Sequence, residues 1–222
     1  MQLTIYNGSP RKTQSNSDVL IQKFLDGFLD GEIKTKVNYL ANQDKMREFV
    51  GKFQNAENII IAFPLYADSM PGLVKEFFET LENTPKYRER QRLGFIIHCG
   101  FPDAVHLSAL EKYLEKFSKR LGVEYLGSVI KPGSEGLRMM PEKMNIQLFS
   151  RLKKLGQHFR KTGEFDQQLL IKIAGKEKFP SILIPLIKLI NQAGFFNFYW
   201  NMQLKKNRVY QNRFDKPYEN QQ

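Results

Sequence analysis

Asn7-Gly8-Ser9-Pro10-Arg11-Lys12-Thr13-Gln14-Ser15-Asn16-Ser17 is the stretch on which the fold turns. It follows an apolar run, Leu3, Ile5 and Tyr6, and opens a segment in which Leu20, Phe24 and Phe28 recur every fourth position. That order is a strand, a polar loop and an amphipathic helix. The loop holds a glycine, hydroxyls, an amide and the cations Arg11 and Lys12. A helix N-terminus adds unpaired N–H groups and a partial positive charge, so the composition suits an anionic phosphate. Ser9, Ser15, Asn16 and Ser17 offer short donors and Arg11 a full charge. Ser15 followed by Asp18 is a helix-start signature. The loop lacks the Gly-Lys-Ser/Thr ending of a P-loop and the G-x-G-x-x-G of a dinucleotide turn.

Outward from this loop, strand and helix patterns alternate to about residue 162. Strands are expected at Leu3–Tyr6, Ile33–Leu40, Ile59–Tyr66, Leu93–Cys99 and Val123–Ile130. The third and fourth are almost wholly apolar, as strands covered on both faces are. Helical stripes lie between and after them: Met46, Phe49, Val50 and Phe53; Leu73, Val74, Phe77, Phe78 and Leu81; Leu110, Leu114, Phe117 and Leu121; Met144, Leu148, Leu152, Leu155 and Phe159. Successive βα units of this kind predict an α/β fold with an open, doubly wound, five-stranded parallel sheet. In the flavodoxin-like order 2-1-3-4-5 the switch point falls between strands one and three, which places the first loop where such sheets bind ligands.

The 222 residues suit one α/β domain, read as residues 1–163, and a helical extension, residues 164–222. The net charge of +11 favours anionic ligands or surfaces. The cations are dispersed and no nucleic-acid motif accompanies them, so nucleic acid is not the expected partner. Cys99 is the only cysteine, which excludes an internal disulfide and a cysteine-rich metal site. A chain that enters its first strand with no basic-then-apolar leader is expected in the cytoplasm.

Two further loops belong at the same end of the sheet. Pro64-Leu65-Tyr66-Ala67-Asp68-Ser69 has the composition to wall a flat aromatic ring, although it also reads as a plain turn into the helix at Gly72. Small Ala67 and Ser69 allow close backbone approach. In His98-Cys99-Gly100-Phe101-Pro102-Asp103, Gly100 permits unusual backbone angles beside a ligand. His98 and Cys99 invite a catalytic pair, but neighbours on a strand point to opposite faces. His106 and His158 read as ordinary helix residues.

With these three loops the chain resembles the flavodoxin-like superfamily of NAD(P)H-dependent FMN reductases and quinone reductases, through NGSPRKTQSNS, AFPLYADSMPGLVKEFFE and HCGFPD. The likeness covers roughly residues 1–160 and extends to relatives of the iron–sulfur flavoproteins. It implies that Ser9, Arg11, Ser15, Asn16 and Ser17 hold an FMN phosphate. Pro64, Leu65, Tyr66, Ala67 and Ser69 then line the isoalloxazine and ribityl chain, and Cys99, Gly100 and Phe101 close the other side of the ring. The cluster cysteines of the iron–sulfur relatives are absent, which removes that centre. The implied activity is hydride transfer from a nicotinamide nucleotide to FMN, then to a flavin, quinone, azo or nitro compound, or to a protein. In that chemistry the protein binds, orients and tunes, so no catalytic triad is expected. The surplus of cations suggests NADPH over NADH. A flavodoxin-like electron carrier without nicotinamide turnover, and a non-catalytic partner-binding or membrane-binding module, are the alternatives.

Phe179 to Leu204 is strongly apolar, with Lys188 its single charge, and Lys205-Lys206-Asn207-Arg208 follows. Three readings fit: packing on the core or across a homodimer, to roof the site; an interfacial membrane contact through residues 179–208; and a spanning helix. Prolines 180 and 185, Lys188 and several amides interrupt the span that the last would need.

Overall fold

The structure is a computed structural model that describes residues 1–29, 36–82, 90–175 and 197–216, together with Pro185 and Leu189. The described elements run β1 (Leu3–Asn7), α1 (Asn16–Phe28), β2 (Asn38–Tyr39), α2 (Met46–Asn55), β3 (Asn58–Pro64), α3 (Gly72–Glu82), β4 (Arg92–His98), α4 (Val105–Leu121), β5 (Glu124–Lys131), α5 (Glu142–Thr162), α6 (Gln167–Ala174) and α7 (Asn197–Lys206). The chain divides into two compact units, Met1–Lys178 and Phe179–Gln222.

In the first unit the sheet order is β2-β1-β3-β4-β5 and every pairing is parallel. The sequence pattern predicts this order. Every residue of β3 is buried, and β4 is buried after Arg92. Each fully buried Ile or Phe there contributes about 1.5–3 kcal/mol of transfer free energy. One face of the sheet carries α2, α3 and α4 over Tyr6, Ile59, Ile61, Phe63, Phe95 and Ile97. The other carries α1, α5 and α6 over Ile5, Ile60, Ala62 and Ile96.

Helix α1 is seated on α5 almost backbone to backbone. A Cβ at Gly27 would stand 1.8 Å from the Lys153 carbonyl oxygen, and one at Gly156 would stand 2.0 Å from that of Phe24. Phe165, before α6, fills a hollow over the sheet, where a Cβ on Gly94 would come within 2.8 Å of its ring. Phe165 and Ile173 are both buried, so residues 164–174 pack within the first unit.

Several element bounds differ from the sequence reading. The third strand stops at Pro64, because the next residues leave the ladder for a tight turn. The fourth stops at His98. The described part of the second is Asn38–Tyr39; residues 30–35 lie outside the described set. Met144, placed on the buried stripe of α5, is 68% exposed, and burial begins only at Leu152.

In the second unit, α7 leads into a cation–aromatic cluster. The Arg213 guanidinium lies 4.1 Å from the Tyr210 ring centre and 4.6 Å from that of Phe214, and the Lys205 ammonium lies 5.0 Å from Tyr210. Trp200 and Phe214 are exposed. Among the described residues no helix is long and apolar enough to cross a membrane. Most of the apolar run from Phe179 to Phe196 lies outside the described residues.

Candidate functional site

Loops from the carboxyl ends of β1, β3, β4 and β5 meet at one cavity of about 110 Å³. Ser9, Arg11, Ser15, Asn16, Pro64, Leu65, Tyr66, Cys99 and Gly100 of the predicted set line it. His98, Ser134 and Glu135, which the sequence reading did not select, complete it. The enclosed space is smaller than the ~300–1,000 Å³ of a small-molecule pocket. It can enclose only part of a flavin-sized ligand. Tyr66, Ala67, Ser69 and Phe101 are exposed at this end of the sheet. Ala67, Ser69 and Phe101 are not brought into the cavity wall, and Phe101 stacks instead on His106, ring centres 4.2 Å apart.

The first loop is shaped from within by Asn7, at the end of β1. Its Oδ1 accepts from the Ser9 N–H at 2.9 Å, and its Nδ2 donates to Ser15 Oγ at 3.3 Å and Asp18 Oδ1 at 3.4 Å. Ser15 caps α1: its hydroxyl accepts from the Asp18 N–H at 3.0 Å and donates to the Lys12 carbonyl at 2.6 Å. The predicted helix start is therefore in place. Asp18 does not close the reciprocal bond of a full capping box. It accepts from Tyr39 Oη at 2.8 Å, tying α1 to β2.

This wiring changes what each predicted donor can offer. Ser15 and Asn16 spend side-chain protons inside the protein, Asn16 on the Ser134 carbonyl at 2.8 Å. Ser17 is fully buried, does not line the cavity, and bonds to His98 Nε2 at 2.8 Å. Among the described residues, no partner takes the backbone N–H groups of Asn16 and Ser17, the first two of α1. With the Arg11 guanidinium and the hydroxyl of Ser9, which accepts from the Arg11 N–H and lines the cavity, these two N–H groups are donors for an anion.

His98 sits between two hydroxyls, its Nδ1 lying 2.8 Å from Ser134 Oγ. Burial, reinforced by the charge of Lys131, pushes its pKa down to about 3, so the ring is neutral at pH 7. Burial also pushes the Cys99 thiol up, and its S–H is directed at the Phe101 carbonyl, 3.6 Å away. The two side chains take different partners, His98 the hydroxyls of Ser17 and Ser134 and Cys99 the Phe101 carbonyl, as the divergence of neighbours on a strand predicts.

Gly100 does not adopt a left-handed backbone angle. The strain falls on Ala67 and Asp68, at φ 46° and 58°, inside a turn closed by two 3.0 Å bonds between Tyr66 and Ser69. Two successive positive φ values make this a mirror-image tight turn, and an alanine there is held against its preference. Small size at position 67 therefore serves the turn.

The loop after β5 could have been suspected from Pro132-Gly133-Ser134, a turn at the sheet end next to β4. Nothing local marks Ser134 as a partner of His98.

A larger cavity, about 740 Å³, opens beside β2 between α1 and α2. Its lining mixes Asp26 and Glu48 with Lys36, Lys45 and Lys52. It shares no residue with the loops after β3 and β4.

The sequence pattern of the flavodoxin-like fold family matches residues 1–158. The chain belongs to that family. Among solved structures, this flavodoxin-like chain is similar to an FMN-dependent NADH-azoreductase from Bacillus anthracis in complex with FMN. That likeness has a TM-score of 0.53 at 17% identity, over 72% of this chain and 100% of the other. It is also similar to an NADPH-quinone reductase from P. pentosaceus, with a TM-score of 0.54 at 19% identity over 73% and 99% of the two chains. A third likeness is to the Trp repressor binding protein of Bacillus subtilis, with a TM-score of 0.52 at 21% identity over 69% and 97%. No curated protein sequence matches.

Proposed function

We propose that this flavodoxin-like protein is an FMN-dependent NAD(P)H oxidoreductase that delivers electrons to a small acceptor such as a quinone, an azo or nitro compound, or a free flavin. One observation carries the reading. Helix α1 starts with two unpartnered N–H groups, and its first residue, Asn16, lines the same cavity as Arg11 and the loops after β3 and β4, at the switch point of the sheet. That is an anion cradle next to an apolar and aromatic wall. The similar structures named for FMN-dependent azoreduction and for quinone reduction support it.

When bound, FMN would supply a ring that takes a hydride from nicotinamide and passes the electron pair on. The chain's own part is binding and orientation. Asn16 and Ser17 N–H and Arg11 would hold the phosphate. Pro64, Leu65 and Tyr66 would wall one side of the ring, and Cys99 and Gly100 the other. The neutral His98 and the raised Cys99 thiol supply no acid or base at pH 7, in keeping with chemistry that needs neither from the protein. NADPH is proposed as the preferred reductant, since cations are in surplus. The C-terminal unit is proposed as a contact element for a second copy, its exposed Trp200 and Phe214 giving an apolar surface among cations.

Purified protein should carry, or take up, FMN by visible absorbance, and should oxidise NAD(P)H only with an added quinone or azo acceptor. Flavin uptake without nicotinamide oxidation leaves the electron-carrier reading. No uptake of FMN overturns the proposal. Sedimentation with and without anionic vesicles separates a homodimer from a lipid-bound protein.

A further inference from the structure

The hydrogen bonds around His98 have one consistent direction. Ser134 Oγ lies 2.9 Å from the Cys99 carbonyl, which can only accept, so the single Ser134 proton goes there. Ser134 Oγ must then accept from His98, which puts the imidazole proton on Nδ1. Nε2 is left with its lone pair and accepts from the Ser17 hydroxyl. Protons therefore point from Ser17 to His98, from His98 to Ser134, and from Ser134 to the chain at Cys99.

This chain of bonds joins three parts of the site. Ser17 stands in the first turn of α1, His98 ends β4, and Ser134 lies in the loop after β5. Two further contacts tie the same parts: Asn16 Nδ2 to the Ser134 carbonyl at 2.8 Å, and Arg138 to the Gln14 carbonyl. Ser17, His98 and Ser134 are each at most 4% exposed, so water cannot replace a lost partner without a cavity to hold it.

We propose that His98 is a positioning residue of the anion cradle: by accepting from Ser17 and donating to Ser134 it fixes the first turn of α1, with its two free N–H groups, against the loops after β4 and β5. The proposal rests on the FMN reading for the identity of the anion. It assigns His98 no contact with the reacting ring, and it gives the Ser17 hydroxyl to the scaffold.

The test compares FMN with riboflavin, which has the same ring and no phosphate, by fluorescence titration of the full chain. His98→Leu should raise the FMN Kd by about tenfold or more, as expected when buried partners are left unpaired. Its riboflavin Kd should change by less than about threefold, a difference of under 1 kcal/mol. Ser17→Ala and Ser134→Ala should each show a smaller loss of the same kind and serve if His98→Leu does not fold. His98→Asn, whose amide can stand in for Nδ1–H toward Ser134, should recover part of the FMN affinity. Equal losses for FMN and riboflavin would mean a general structural role and overturn the proposal, as would unchanged FMN affinity. Nitrogen NMR of the imidazole gives a readout without flavin: a neutral ring protonated on Nδ1 is expected, and a proton on Nε2 refutes the scheme. If the parent protein binds neither flavin, the FMN reading fails. Inorganic phosphate then decides about His98. Amide shifts at Asn16 and Ser17 that disappear in the variants uphold the proposal, and shifts that persist or never occur overturn it.

Discussion

Replacing Gly156 by alanine tests the backbone contact that seats α1, and with it the start of the candidate site. The added Cβ would lie 2.0 Å from the Phe24 carbonyl oxygen and 2.8 Å from the Phe28 nitrogen. Both obstacles are helix backbone and cannot rotate aside. Opening that gap from 2.0 Å to an ordinary 3.4 Å moves α5 outward by about 1.4 Å. A shift of that size forfeits about half of the dispersion contact along the seam. The seam includes Leu152, Leu155 and Phe159, all fully buried. At about 2 kcal/mol of burial each, the loss is about 3 kcal/mol, the top of the usual overpacking range. For a domain of this size that lowers the melting temperature by about 6–12 °C. Gly51→Ala is the control. It lies within α2 with nothing within 4 Å of its Cβ position, so alanine there should stabilise by about 0.5–1 kcal/mol. Thermal unfolding by circular dichroism should show shifts of opposite sign. Gly156→Ala melting within about 2 °C of the parent would refute the close helix contact.

Three further outcomes follow from the geometry. Ala67→Gly should raise stability by about 1 kcal/mol, read from urea unfolding, because glycine accepts the left-handed angle that alanine resists; a destabilised variant would refute the tight turn. His98 has a folded-state pKa near 3 against an ordinary 6.5, so the unfolded chain binds a proton in that interval that the folded chain does not. Stability is thus fully present above pH 6.5 and falls as pH drops toward 3, by at most about 1.4 kcal/mol per pH unit, and urea midpoints should lose that slope in His98→Asn. A chain ending at Gly163 loses buried Phe165 and Ile173 and should be destabilised by at least about 3 kcal/mol relative to one ending at Lys178, and a midpoint equal to that longer chain's would refute the packing of residues 164–174 within the first unit.

The fold was legible because its signals are local and repeated. Nearly unbroken apolar runs at Ile59–Phe63 and Phe95–Ile97 mark strands covered on both sides, and the Ser15 cap marks the start of α1. The candidate site was legible in outline, as three loops at strand ends. Its details were less so. Arg11, Pro64, Leu65 and Tyr66 reach the cavity as read, while Ala67 and Ser69 turn out to serve a strained turn. Nothing in the sequence around His98 marks its role, because its partners Ser17 and Ser134 lie 81 and 36 positions away along the chain.

By itself the sequence determined the class of sheet, its strand order and the end of it where the candidate site lies, since periodicity and capping act within a few residues. Only the tertiary structure decided which donors remain free for an anion. Asn16 and Ser134 meet across 118 positions, Ser17 and His98 across 81, and His98 and Ser134 across 36. A hydroxyl has one proton to give. Where it goes depends on what the fold brings within hydrogen-bond reach, and for Ser17 the fold brings His98.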